Sequence, residues 1–237
     1  MELINLSKST DLYNDITSGS FDNRINHFWL GLREYESIWT LQKILHSMVV
    51  ENNINDLVLY LEHNHVYTLG KNSNLNHILS SKLDKIKIVH TDRGGDVTYH
   101  GPGQLIGYPI FNLKNFTKSV SWYMRTLEQA IINSIQSLKI DSHVKDGLTG
   151  VWVGDEKICA MGVRMAKWST MHGFALNVNT NLNYFDGLIP CGIFEYGITS
   201  ISKNSNIDID TYKVAETVAV NFEKLFLDEK IKLLERV

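Results

Sequence analysis

Arg93-Gly94-Gly95-Asp96-Val97-Thr98-Tyr99-His100-Gly101-Pro102-Gly103-Gln104 places four glycines and one of the chain's three prolines in twelve positions, beside an Arg, an Asp, a Tyr and a His. Apolar strands flank it, residues 86–89 before and 105–110 after. Glycine lets the backbone turn through positive φ and approach a ligand closely. On local pattern alone the stretch reads equally as a tight turn with solvated polar residues or as a ligand cradle held between strands.

Outward from this stretch the chain places short strands before, between and after isolated helices. Trp29-Leu30-Gly31-Leu32 reads as a first strand. From Ile38, the positions Leu41, Ile44, Leu45, Met48 and Val49 keep helical spacing, ending near Asn52-Asn53. Leu57-Val58-Leu59-Tyr60-Leu61 is a buried strand by its short apolar run. Residues 62–65 turn it, and residues 66–70 follow as another strand. Val120, Tyr123, Met124, Leu127, Ile131, Ile135 and Leu138 mark a second amphipathic helix, with Ser119 or Ser121 as its cap. Residues 150–153, 157–165 and 170–177 read as successive strands, the first two joined by a hairpin turn at Gly154-Asp155-Glu156. Residues 179–197 are irregular, 198–201 read as a strand closing the sheet, and Val214, Val218, Phe222, Leu225 and Phe226 mark a third helix. Residues 1–26 are polar and aperiodic, a partly ordered extension to a single domain over 27–237. Strands before, between and after isolated helices predict an α+β fold with a mixed β-sheet, not an alternating doubly wound one.

The totals narrow the function classes. A chain of 237 residues affords a sizeable core. Its formal net charge of -3 carries no polyanion-binding signature, so no nucleic-acid partner is expected. No apolar run approaches the ~20 residues of a membrane span. The N-terminal residues resemble neither a signal nor a transit peptide. Two cysteines, Cys159 and Cys191, read as reduced thiols of a cytosolic protein, and no HxxxH or CxxC pair supports a metal site.

Cys191 sits in Gly187-Leu188-Ile189-Pro190-Cys191-Gly192-Ile193, a bend that can present a thiol to substrate. A buried, inert thiol is the alternative there. Cys159 lies in an alternating stretch, so if Lys157 faces a cleft then Cys159 shares its face. Lys157 by default is a solvated lysine beside a hairpin turn. His172 reads as a partly buried strand histidine, and His63, His65, His77 and His90 as loop or strand-edge histidines.

Several of these patterns together resemble one family. The twelve-residue stretch closely resembles the RGGxVTYHGPGQ signature of the lipoyl(octanoyl) transferases, with Asp96 at a position where that family often carries Gln. Gly31 to Tyr35, Gly150-Val151-Trp152-Val153, Lys157 to Arg164, Met171 to Asn179 and Pro190-Cys191-Gly192 follow in the family's order and spacing. The match spans about residues 29–202. The resemblance implies the fold of the biotin and lipoate protein ligase catalytic domain. It implies transfer of an octanoyl group from octanoyl-acyl carrier protein to a lysine of lipoyl domains, in lipoate biosynthesis in the cytoplasm. The acceptors it implies are the lipoyl domains of 2-oxoacid dehydrogenase complexes and the glycine cleavage H protein. No cofactor, metal or membrane partner is implied. Carried over by position, Cys191 is the acyl-thioester nucleophile and Lys157 the residue that lowers its pKa. Arg93, Gly94, Gly95, Asp96, Val97, Thr98, Tyr99, His100, Ala160, Met161, Gly162, Gly173, Phe174 and Ala175 line the acyl pocket.

In this reading the glycines at 94, 95, 162 and 173 leave room for the acyl tail, and Tyr99 with His100 closes one wall. Backbone N–H groups of the glycine stretch or of Gly192 are the candidate oxyanion donors. Whether His100 or His172 also handles protons is open in the sequence, with positioning the favoured role. Lys71, Arg93, Arg164 and Lys167 are expected to form a basic rim for acidic partners. Two other readings compete: an ATP-dependent lipoate or biotin ligase on the same fold, which needs no cysteine, and a binding module without chemistry.

Overall fold

Alternate residues of one central strand feed two separate cores. In β3 (Leu57–His63), Leu57, Leu59 and Leu61 pack with one apolar cluster, and Val58 and Tyr60 with another. A strand covered on both faces reads as a continuous apolar run because neither set of side chains meets water. A computed structural model describes residues 2–19, 25–73, 86–188, 196–205 and 207–234. Cys191, with Pro190 and Gly192, and His77 lie outside the described residues.

The main sheet runs β1 (Leu3–Asn5), β2 (Asn26–Arg33), β3, β7 (Gln104–Ile110), β11 (Ser169–Asn177), β10 (Glu156–Ala166), β9 (Leu148–Val153) and β8 (His143–Lys145), in that spatial order. A two-residue strand, β12 (Gly197–Ile198), pairs with β10. The pairs β1–β2, β2–β3 and β10–β12 are parallel and the rest antiparallel, so the sheet is mixed. Leu3-Ile4-Asn5, within the segment read as an extension, thus supplies an edge strand, with Leu3 in the core.

Helices cover both faces. α2 (Tyr35–Val50) buries Ile38, Leu41, Leu45 and Val49, with Ile16 of α1 (Leu12–Thr17) in the same cluster. On the other face, α3 (Val120–Gln136) and α5 (Thr211–Leu234) pack together through Tyr123, Leu127, Ile131, Val218, Phe222 and Phe226. Ser119 caps α3 by accepting from the Trp122 N–H at 3.2 Å, satisfying a backbone donor left over at the helix start. No described helix is long and apolar enough to cross a membrane.

Two expectations change here. Residues 198–201 do not form one strand. Strand β12 stops at Ile198, because the Ser200 hydroxyl accepts from the Lys203 N–H and starts a short helix, α4 (Ile201–Ser205). The glycine stretch is not all loop either. Val97–His100 is strand β6 of a second sheet, ordered β5 (Lys87–His90), β4 (Val66–Leu69), β6. Gly101 to Gly103 then carries the chain from this small sheet into β7 of the large one.

Candidate active site

A pocket of about 430 Å³ lies where the small sheet meets the large one. Its walls come from the glycine stretch, from β10 and β11, and from the turn before β9. Arg93, Gly94, Gly95, Asp96, Val97, Thr98 and His100 line it, as do Ala160, Met161, Gly162, Gly173, Phe174, Ala175 and Lys157. Tyr99 does not. Along β6, Thr98 and His100 alternate with Tyr99, which turns the other way into a cluster with Tyr67, Tyr184 and Phe185. Its hydroxyl meets His65 Nδ1 at 2.7 Å.

The loop is held by its own side chains. Arg93 folds inward, donating to the Thr68 carbonyl at 2.6 Å, the Thr68 hydroxyl at 2.9 Å and the Gly94 carbonyl at 3.0 Å. Gly94 N–H donates to the Val163 carbonyl of β10 at 2.9 Å. That donor is committed to the scaffold, which removes it from the oxyanion candidates. A Cβ on Gly162 would sit 2.8 Å from the Gly94 carbonyl, and one on Gly173 would sit 2.2 Å from the Gly107 carbonyl of β7. Both glycines let neighbouring backbone approach closely, and both also line the pocket.

Lys157 reaches the pocket with its ammonium 4.8 Å from the centre of the Trp152 ring. Cys159 does not share its face. The register slips between them: Lys157 opposes Trp152, yet Cys159 opposes Val151. This bulge breaks the alternation, so both Ile158 and Cys159 point into the core and Ala160 returns to the pocket. Burial pushes the Cys159 thiol far up.

At the far end of the pocket, Asp92 accepts from His172 Nε2 at 2.8 Å and from Arg164 at 2.6 Å. The His172 bond, then the charges of His172 and Arg164, hold the Asp92 carboxyl down at about 2 despite partial burial. Burial lowers His172 itself. His172 opposes Val163, six residues along β10 from Lys157, or roughly 20 Å at about 3.3 Å per residue. His172 is therefore too far away to exchange protons with Lys157. His63, expected at a loop or edge, is fully buried, with Nδ1 at 2.9 Å from the Arg33 carbonyl and Nε2 at 2.9 Å from the Tyr108 hydroxyl.

Several residues lining the site were not singled out in the sequence. Tyr35 stacks on His100 with rings 5.9 Å apart and nearly parallel. Trp152 and Tyr196 meet edge to face at 5.2 Å, with Lys145 4.2 Å from the Tyr196 ring centre. Asp92 carried a signal, an acid immediately before the Arg93 motif, but nothing in the sequence placed it against a strand eighty residues on. Of the expected basic rim, Lys71 and Lys167 are exposed, whereas Arg93 is turned inward and Arg164 is bound to Asp92. Among the described residues no three His, Cys, Asp or Glu side chains cluster as a metal site.

Residues 34–223 match the family model of the lipoyl protein ligase A/B catalytic domain. The chain belongs to that family. Within the lipoyl protein ligase A/B family, it is 45% identical over 196 residues to the octanoyltransferase of Clostridium kluyveri, covering 81% of this chain and 84% of the relative. It is 44% identical over 207 residues to the octanoyltransferase of Flavobacterium johnsoniae, covering 79% and 88%. Its fold matches a putative lipoate protein ligase of Thermoplasma acidophilum solved with lipoic acid, at a TM-score of 0.64 and 15% identity over 86% of each chain. The biotin protein ligase of Aquifex aeolicus aligns at a TM-score of 0.51 and 16% identity, over 88% of this chain and 71% of that one. The mixed sheet with helices on both faces is thus the lipoate and biotin protein ligase catalytic fold.

Proposed function

We propose that this protein is an octanoyltransferase, which moves an octanoyl group from a carrier-protein thioester to a lysine of a lipoyl domain through an acyl-cysteine. The observation that carries the reading is the high identity to octanoyltransferases along most of the chain, in a protein that retains both Cys191 and a pocket-facing Lys157.

The chemistry balances without ATP, because a thioester and an amine already hold the free energy to form an amide. The Cys191 thiolate attacks the octanoyl thioester, and the carrier thiol leaves with a proton from the Lys157 ammonium. That positive charge also favours the thiolate. The acceptor lysine then attacks the acyl-cysteine, its proton passes to the Lys157 amine, and the Cys191 thiolate leaves. The pocket lining of Met161, Val163, Phe174 and Ala175 gives the acyl tail an apolar slot, worth about 0.8 kcal/mol per buried methylene. Tyr196, five residues after Cys191, lines the same pocket. The donor in this reading is octanoyl-acyl carrier protein, and the acceptors include lipoyl domains of 2-oxoacid dehydrogenases and the glycine cleavage H protein.

The test is to incubate the protein with octanoyl-acyl carrier protein and weigh it. A gain of one octanoyl group, labile to hydroxylamine and absent in Cys191→Ser, is the expected result. ATP-dependent modification of a lipoyl domain that persists in Cys191→Ser would replace this reading with a ligase.

A further inference from the structure

A row of buried polar groups crosses the sheet from the glycine stretch to Lys157. His100 Nδ1 lies 2.9 Å from Gln104 Oε1, Gln104 Nε2 donates to Asn177 Oδ1 at 2.9 Å, and Asn177 Nδ2 donates to the Thr199 carbonyl at 2.9 Å. Thr199 N–H then donates to the Lys157 carbonyl at 3.0 Å. Gln104 and Asn177 are direct cross-strand partners of β7 and β11, and Ile198, the residue before Thr199, is the β12 partner of Lys157. His100, Gln104, Asn177 and Thr199 are all buried, so each unpaired group would be costly.

Both ends of the row dictate its direction. A carbonyl only accepts, so Thr199 takes the Asn177 amide N–H. Asn177 must then present oxygen to Gln104, and Gln104 must present oxygen to His100. At the other end, guanidinium only donates, so both lone pairs of the Thr68 hydroxyl are taken by Arg93, from Nη2 at 2.9 Å and from Nε at 3.3 Å. Its own proton is left for His100 Nε2, 3.5 Å away. The two ends assign the same tautomer.

We propose that this one-way hydrogen-bond chain locks His100 as a neutral Nδ1–H imidazole and makes Gln104, Asn177 and Thr199 positioning residues that hold the strand segment bearing Lys157 against the glycine stretch. His100 is then a fixed strut and transfers no proton. Protonating it would aim an Nε2–H at a hydroxyl already occupied by Arg93. The surrounding groups agree: burial most of all, then His63 of β3, Arg93 of the loop and His172 of β11 all oppose a charge on His100, while Gln104 alone favours it, and Tyr35 of α2 stacks on its face.

The test reads the tautomer directly. Two-bond proton–nitrogen correlations of the ¹⁵N-labelled full chain, with His100 assigned by a His100→Asn variant, should give the Nδ1–H pattern unchanged from pH 8 to pH 5. An Nε2–H pattern, or a His100 titration in that range, would overturn the proposal. In Gln104→Glu the carboxylate can accept from His100 but cannot donate to Asn177, so His100 should become protonated and titrate. A His100 that remains non-titrating there would show that Gln104 does not set its state. The kinetic arm rests on the octanoyltransferase reading. Isosteric Asn177→Asp turns a second acceptor towards Thr199, and kcat should fall about tenfold to a hundredfold with KM little changed. Full activity in that variant would remove the link to Lys157. The nuclear magnetic resonance arm needs no turnover, so a failure of octanoyl transfer and a failure of the chain are separable.

Discussion

Asp92 and His172, eighty residues apart, share a 2.8 Å hydrogen bond that ties the start of the glycine stretch to the middle of β11. His172 reaches it from a backbone φ of +59°, a left-handed conformation that an ordinary residue adopts only when its surroundings hold it there. The holding bonds are this one and the donation of His172 N–H to Gln42 Oε1 at 2.9 Å.

Asp92→Asn should loosen the loop and raise KM for the acyl donor more than it lowers kcat. The same variant has a signature in acid. The Asp92 carboxyl is held at about 2, below its ordinary value of 3.8, so its stabilisation is complete above about pH 4 and is lost as pH falls through about 2. Urea midpoints measured between pH 4 and pH 2 should fall less steeply in Asp92→Asn than in the parent. Parallel slopes would mean that the ion pair contributes nothing.

The buried histidines act in a different window. Burial lowers His27 to about 3 and His63 to about 4, from 6.5, and lowers His172 as well. Below pH 6.5 the unfolded chain therefore takes up protons that the folded one refuses, and stability falls as pH drops from 7 to 5. His27 and His63 each contribute about 1.4 kcal/mol per pH unit once the unfolded form is charged. Replacing His27 with Gln should remove about one proton from the slope of unfolding free energy against pH near 5. An unchanged slope would contradict its burial as a neutral group.

Gly162→Ala asks for space that the loop backbone already occupies. The added carbon meets the Gly94 carbonyl at 2.8 Å, too close to be absorbed by a side-chain movement. Octanoyl transfer should fall by about a hundredfold, on the scale of a displacement of one ångström or so at the site. Gly154→Ala, at the turn between β9 and β10 with nothing within 4 Å of the added carbon, should strain only the local backbone at its φ of +54° and leave the pocket walls in place. Equal losses in both would show that backbone conformation, not loop contact, is what Gly162 provides.

The parts of the molecule legible in the sequence were those written in local periodicity. The 3.6-residue spacing over Ile38 to Val49, the run Leu57 to Leu61 and the glycine spacing at 93–104 each need only neighbours in the chain to be read. What escaped depends on partners far away. Asp92 acquires its role from His172, and Tyr35 from His100. Thr199 acquires its role from Asn177 and Lys157. Tyr99 is an exception, because strict alternation along β6 puts it on the face opposite His100 and needs only chain neighbours to be read. Lys157 and Cys159 fail the same rule, since a bulge inserts one residue where the sequence shows an unbroken alternation.

Glu128 supplies a fourth test, behind the pocket. Its carboxylate, buried in α3, accepts from the Gly150 N–H at 2.9 Å and from Arg125 at 2.7 Å. A Cβ on Gly150 would lie 3.5 Å from Cε of Lys157, so the lysine stem packs over this glycine. Glu128→Ala leaves the Gly150 N–H buried and unpaired, and should cost about 1–3 kcal/mol. Glu128→Gln keeps an acceptor there and should cost less. Urea titration of both variants measures the difference, and equal costs would assign the effect to Arg125 instead.

The bulge beside Lys157 also makes the chain report on its own opening. It turns Cys159 inward, where burial keeps the thiol protonated and out of reach of reagents. Alkylation at this position then has to wait for the strand to leave the core, so its rate counts unfolding events. Cys159 labelling followed in Cys191→Ser is a clock for the stability of the sheet that carries the site.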